Sequence, residues 1–240
     1  MGLFSTVLHI YKGSQHEVVQ ELIKELRETK ELQKVSRLNI KNTNIEKVLT
    51  ENVLDCYGIF YLVLPEKGHW ITIIELNTRI ETPFYLDDLT NSMSNRLNSY
   101  ALSFHLHDDD ILLYNLDYKG SSIDGYNSNY QYFLHERAGK EDVLSQRHTP
   151  EAFIELIPEN KNIDTLNSIL NEGYWDAFDN DNLDEDGVPN DEKYFIDEQD
   201  RFERIGKFLE LYTPDDYPFA DWFNNLKKID LSGCHLLKAE

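Results

Sequence analysis

Cysteine is nearly absent from this chain: Cys56 and Cys234 are its only two, far apart and outside any C-x-x-C spacing. That excludes a disulfide framework and a cysteine zinc site, and an intracellular, reducing compartment fits best. No run of about 18 apolar residues occurs, so no transmembrane helix is expected. The opening Met1-Gly-Leu-Phe-Ser-Thr-Val-Leu lacks the basic n-region of a signal peptide. Its first six residues fit the N-myristoylation pattern, but a buried first strand is the preferred reading. Basic residues are scarce, 23 against 44 acidic ones, for a formal net charge of -21 and a pI near 4.7. Phosphate binding needs clustered Lys and Arg, so neither nucleic acid nor anionic membrane is an expected partner. Basic proteins and divalent cations are attracted instead. The nucleophile elbow G-x-S-x-G, the Walker loop and G-x-G-x-x-G are all missing, and no internal repeat is visible. The expectation is a non-enzymatic, cytoplasmic protein.

What the chain does have is a patterned first half. Residues 3–11 read as a strand. Ser14-Gln-His-Glu17 matches a capping box, and Val18, Val19, Leu22, Ile23 and Leu26 follow at helical spacing, predicting a helix to about Lys30. Val35 to Ile40 reads as a return strand. Gly58–Leu64 and His69–Leu76, joined by Pro65-Glu-Lys-Gly68, predict a hairpin. A helix is expected over Asp87–Asn98, with Leu89, Met93 and Leu97 on one face. Leu102, Phe104 and Leu106 alternate with Ser103, His105 and His107, the pattern of a half-buried strand. Ile111–Tyr118 and Ser122–Tyr126 complete a meander. Downstream come a short helix opened by Thr149-Pro150, another around Ile163–Leu170, and a third over Asp200–Tyr212. The order predicts an α+β protein whose mostly antiparallel sheet is covered by helices. Residues 1–135 form the α+β sheet domain, and 136–240 a helical, acidic-loop segment packed on the same core.

The charge is uneven. Residues 1–50 carry eight bases against six acids, while Glu172 to Asp200 holds 12 acidic residues and one base, Lys193. Asn182-x-Asp184-x-Asp186-Gly187-Val188-Pro189-Asn190-Asp191 resembles the calcium-binding type 3 repeat of thrombospondin-like and bacterial outer-membrane proteins. That resemblance implies Ca²⁺ held by Asn182, Asp184, Asp186, Asn190 and Asp191 with the Val188 carbonyl, since Ca²⁺ takes six to eight hard oxygens. In an EF-hand frame the match is poorer, because Lys193 falls where a bidentate glutamate is required. The bland alternative is a solvated acidic loop.

His105-Leu-His107-Asp-Asp109-Asp110 resembles the H-x-H-x-D-H motif of metallo-β-lactamase-fold hydrolases, with Asp110 in place of the last histidine. The resemblance implies a metal-dependent hydrolase at His105, His107 and Asp109. The strand that starts at Ile111 departs from that family, where a helix follows. In length and charge the chain resembles immunity proteins, which neutralise basic toxins by charge complementarity. The leading expectation is therefore an acidic binding protein, with Trp175, Asp176, Phe178, Asp179, Asp181 and Tyr194 contacting a basic partner. Rings supply binding energy there and carboxylates supply steering. A calcium-binding interaction module through residues 181–191 is the alternative, and a metal-dependent hydrolase the third.

Overall fold

The computed structural model describes residues 5–28, 35–38, 59–75, 85–107, 110–129, 144, 147–184, 189–213, 216 and 232–239. In chain order the elements are β1 (Ser5–Tyr11), α1 (Gln15–Glu28), β2 (Val35–Leu38), β3 (Ile59–Val63), β4 (Trp70–Glu75), α2 (Tyr85–Arg96), β5 (Tyr100–His107), β6 (Ile111–Tyr118) and β7 (Ser121–Asn127). Then follow α3 (Ile163–Asn171), α4 (Tyr174–Asp179), α5 (Glu198–Leu209) and β8 (His235–Ala239). The fold is α+β: the strands form one eight-stranded antiparallel sheet in the order β2-β8-β3-β4-β1-β5-β6-β7, and the C-terminal part is helix-rich.

Helix α1 starts where the capping box puts it. Ser14 Oγ donates to Glu17 Oε2 at 2.6 Å, and the Glu17 amide donates back to Ser14 Oγ at 3.2 Å. Its apolar stripe, Val18, Val19, Leu22 and Leu26, is buried. With Leu89 and Met93 of α2 this stripe covers Leu8, Ile10, Tyr61, Val63, Ile71 and Ile73 on one sheet face. The other face carries Val7, Leu62, Trp70, Leu102, Phe104, Leu112 and Tyr114, covered by Leu166, Ile169, Leu170, Trp175, Phe202, Ile205 and Leu209 of the C-terminal helices. Each fully buried side chain of this kind contributes roughly 1.5–3 kcal/mol by leaving water.

Two expectations change. Strand β5 is not half-buried: Ser103 is 2% and His105 5% exposed, because helices cover both faces of the central strands. Buried polar side chains of the central strands are accommodated by pairing. Thr6 Oγ1 and His105 Nδ1 lie 2.8 Å apart, and His9 Nδ1 and Thr72 Oγ1 2.9 Å apart, both across neighbouring strands. The sheet is also not confined to residues 1–135. The C-terminal strand β8 lies between β2 and β3 and is the only neighbour β2 pairs with among the described residues. His235-Leu-Leu-Lys-Ala239 is too short and too irregular in burial to announce itself by alternation.

Turn chemistry sets the meander. Lys119 (φ 53°) and Gly120 (φ 79°) are both left-handed, the two-residue geometry that matches strand twist between β6 and β7. Gly206, inside α5, answers a different need. A Cβ there would lie 1.9 Å from Thr213 Cγ2. Thr213 is itself fixed, bonded through Oγ1 to the buried carboxylate of Glu203 and through its amide to Asp216 at 3.0 Å. Gly206→Ala should therefore cost about 1–3 kcal/mol through overpacking, although alanine favours a helix by about 1 kcal/mol. Urea unfolding checks the sign. A stabilised variant would mean that the 210–213 turn yields easily.

Candidate interaction surface

The acidic segment is not one loop. It opens on α4, which starts from Gly173 (φ 75°), and closes on the start of α5, capped by Asp197 accepting from the Asp200 amide at 3.1 Å. Between them the Ala177 carbonyl accepts from the Asn182 amide at 2.8 Å, and the Asn182 carbonyl accepts from the Asn190 amide at 3.0 Å. Leu183 and Pro189 form an isolated antiparallel bridge, so the two arms of the loop are held together. Asp191 caps the short 3-10 turn Glu192–Tyr194, accepting from the Lys193 amide at 3.1 Å, and that bond holds its carboxyl below the ordinary value.

The residues expected at a contact surface divide. Trp175 is 0% exposed. Its Nε1 donates to the Asn127 carbonyl at 3.2 Å, and its ring meets Tyr174 and Phe178 edge-on. It is a core residue, placed there because α4 turns that face inward. Phe178 and Tyr194 are half-buried, with Lys193 Nζ 4.6 Å above the Tyr194 ring. Asp179 and Asp181 are exposed and Asp176 is half-buried. Burial, then the neighbouring carboxylates Glu172 and Asp179, push the Asp176 carboxyl up. Phe195 was not singled out by sequence, yet it is 61% exposed between Glu192 and Asp197. Flanked by Tyr194 and Ile196 in a short run without periodicity, it carries no signal of which way it faces.

Several carboxylates of the segment meet cations. Glu172 takes a forked pair from Arg204 at 2.5 and 2.7 Å, and Asp179 one from Arg147 at 2.7 and 3.0 Å. Lys193 lies 3.3 Å from Asp191. Glu198, at the start of α5, is 5% exposed, and its Oε2 lies 3.2 Å from Nε of the fully buried Arg201. Burial pushes the Glu198 carboxyl up to about 9, against a hydrogen bond from Ser128 and with the carboxylates of Asp197, Asp110 and Glu172 adding to it, while burial and then Arg204 push the Arg201 guanidinium down to about 9. These pairs orient the segment without cancelling an excess of 12 acids over one base.

Of the calcium ligands expected, Asn182 and Asp184 are half-buried, Asn190 and Asp191 exposed, and Asp186 and Val188 lie outside the described residues. The His105 and His107 rings stand 6.2 Å apart, tilted by 38°. His105 is engaged with Thr6, and burial pushes its imidazole down to about 4. Asp109 lies outside the described residues. Among the described residues no group of three or more His, Cys, Asp or Glu side chains is disposed to hold a metal ion, and no helix is long and apolar enough to cross a membrane. Comparison with protein-family models, curated proteins and solved structures returns no match to this chain.

Proposed function

We propose that the chain is a non-enzymatic, cytoplasmic acidic binding protein, an immunity-type inhibitor of a basic protein, and that α4 through the start of α5 forms its contact. The observation that carries this is Phe195, a ring 61% exposed inside the most acidic stretch of the chain. An exposed aromatic supplies an anchor that desolvates on binding, and the surrounding carboxylates accelerate encounter with a cationic surface. Half-buried Phe178 and Tyr194 extend the apolar part, with Asp176, Asp179 and Asp181 beside them. The test is affinity capture of basic proteins at low ionic strength. Retention should fall steeply as salt rises, because screening shortens from about 10 Å at 0.1 M to about 3 Å at 1 M. Phe195→Ala should weaken retention at every salt concentration. Capture that survives molar salt undiminished would defeat the electrostatic reading.

The closed arms of the loop favour a second reading, a calcium-binding interaction module through residues 181–191, since a Ca²⁺ loop must bring its oxygens to one concave side. In the same preparation, a Ca²⁺-selective rise in melting midpoint after EDTA treatment would assign the loop to the metal. An unchanged midpoint leaves the basic-partner reading.

A further inference from the structure

Three consecutive residues, Arg147-His148-Thr149, lie across the seam between the outer strand β7 and helices α3 and α4. The Thr149 amide donates to Asp124 Oδ1 on β7 at 2.7 Å. His148 Nε2 lies 3.0 Å from Asn167 Oδ1 on α3, and its ring meets Tyr126 of β7 edge-on at 5.8 Å. Arg147 forks Asp179 at the end of α4, donates to Asn171 at 2.6 Å, and lies 5.5 Å over the Trp175 ring. The three residues act as a strap tying the sheet edge to two helices.

Of the three links, the one through His148 rests on a group that ordinarily titrates near neutral pH. His148 is 5% exposed, and its Nδ1 has no hydrogen-bond partner. A neutral imidazole that donates Nε2–H to Asn167 leaves Nδ1 as a bare lone pair. Protonation would place a second N–H and a positive charge where no acceptor waits. The charged groups around it are Arg147 and Glu151 on its own segment, Asp124 on β7, and Arg201 of α5, whose guanidinium covers the Tyr126 ring. Its hydrogen-bond partner on α3 is the neutral amide of Asn167. Asp124 is already engaged by the Thr149 amide and by Tyr114 Oη at 2.6 Å.

We propose that His148 is an acid-sensitive clasp: on gaining a proton it releases the strap from α3 and loosens α3 and α4 from β7, while the sheet stays folded. Burial holds the closed-state imidazole below its ordinary 6.5, whereas the opened, solvated ring titrates near that value. Protons therefore favour the open form as pH falls below about 6.5. The sheet's own histidines, His9 and His105, are held much lower, at about 3 and about 4.

Amide NMR spectra of the full chain, titrated from about pH 7.5 to about pH 4.5, test this. The amides of residues 163–179 should move together with one midpoint, leaving those of β1 and β4 in place. His148→Gln cannot gain a proton and should abolish the transition. Should that variant not fold, Asn167→Asp serves instead. A carboxylate facing Nε2 favours the charged ring in the closed form and should move the opening at least about one pH unit lower. Helix amides that stay put throughout would overturn the proposal, as would an unaltered midpoint in both variants or helices that move only with the whole sheet.

Discussion

Trp175→Ala is expected to cost about 3–5 kcal/mol of unfolding free energy, the range for emptying a buried aromatic site. For a chain of this length that lowers the melting midpoint by roughly ten degrees. The ring is fully buried, its N–H is spent on the Asn127 carbonyl, and it packs between Tyr174, Phe178 and the guanidinium of Arg147. Truncation opens a cavity under α4 and leaves that carbonyl without its donor, so the collapse that softens some core truncations is hindered here. Phe195→Ala offers the contrast. At 61% exposure that ring has little to lose on truncation, and stability should change by no more than about 0.5 kcal/mol. Urea unfolding of the two variants side by side separates a ring that holds the fold from one available to a partner. A mild Trp175→Ala, under about 1 kcal/mol, would mean that the ring is surface-bound after all.

The contrast between Trp175 and Phe195 marks where the sequence is legible. Periodicity located β1, α1, the β3–β4 hairpin, α2 and the β5–β6–β7 meander, because each carries its apolar residues on a regular period or in a short run and is bounded by its own cap or turn. The Ser14–Glu17 box and the Lys119-Gly120 turn act locally, within four residues, so their chemistry is visible without any tertiary knowledge. Burial of Ser103 and His105 was not visible: a polar residue at every second position reads the same whether it faces water or a second helical layer. Nor could composition say which rings of the 172–200 segment turn inward, since α4 is a six-residue helix embedded in carboxylates. The strand β8 was hidden for a related reason, five residues whose place in the sheet is decided by β2 and β3 rather than by its own pattern.

The same blindness covers Arg201, whose i,i+3 spacing from Glu198 reads as an ordinary exposed helix pair. It is instead fully buried, donating to the Glu172 carbonyl at 2.7 Å and to Tyr126 Oη, with Nε 3.2 Å from Glu198 Oε2. That last pair is close but misaligned for a hydrogen bond, so its strength is mainly Coulombic. Arg201→Ala should cost about 3–5 kcal/mol at neutral pH, because it empties a buried site and leaves Tyr126 Oη, the Glu172 carbonyl and Glu198 without their partner. The penalty should depend on pH with a definite sign. A carboxyl raised above its ordinary 4.5 contributes stability that is present below that value and lost as pH rises through the folded value. Without Arg201 the folded value climbs above its about 9, so the extra loss falls between about pH 8 and about pH 10. Glu198→Gln placed on top of Arg201→Ala should flatten the dependence and return part of the stability, since a neutral amide needs no counter-charge. Urea unfolding of the single and double variants at both pH values reads this directly. An Arg201→Ala penalty equal at the two pH values would show that the arginine acts through Tyr126 and the Glu172 carbonyl alone. The coupling between the two side chains, expected at about 1–3 kcal/mol near pH 10, would then vanish.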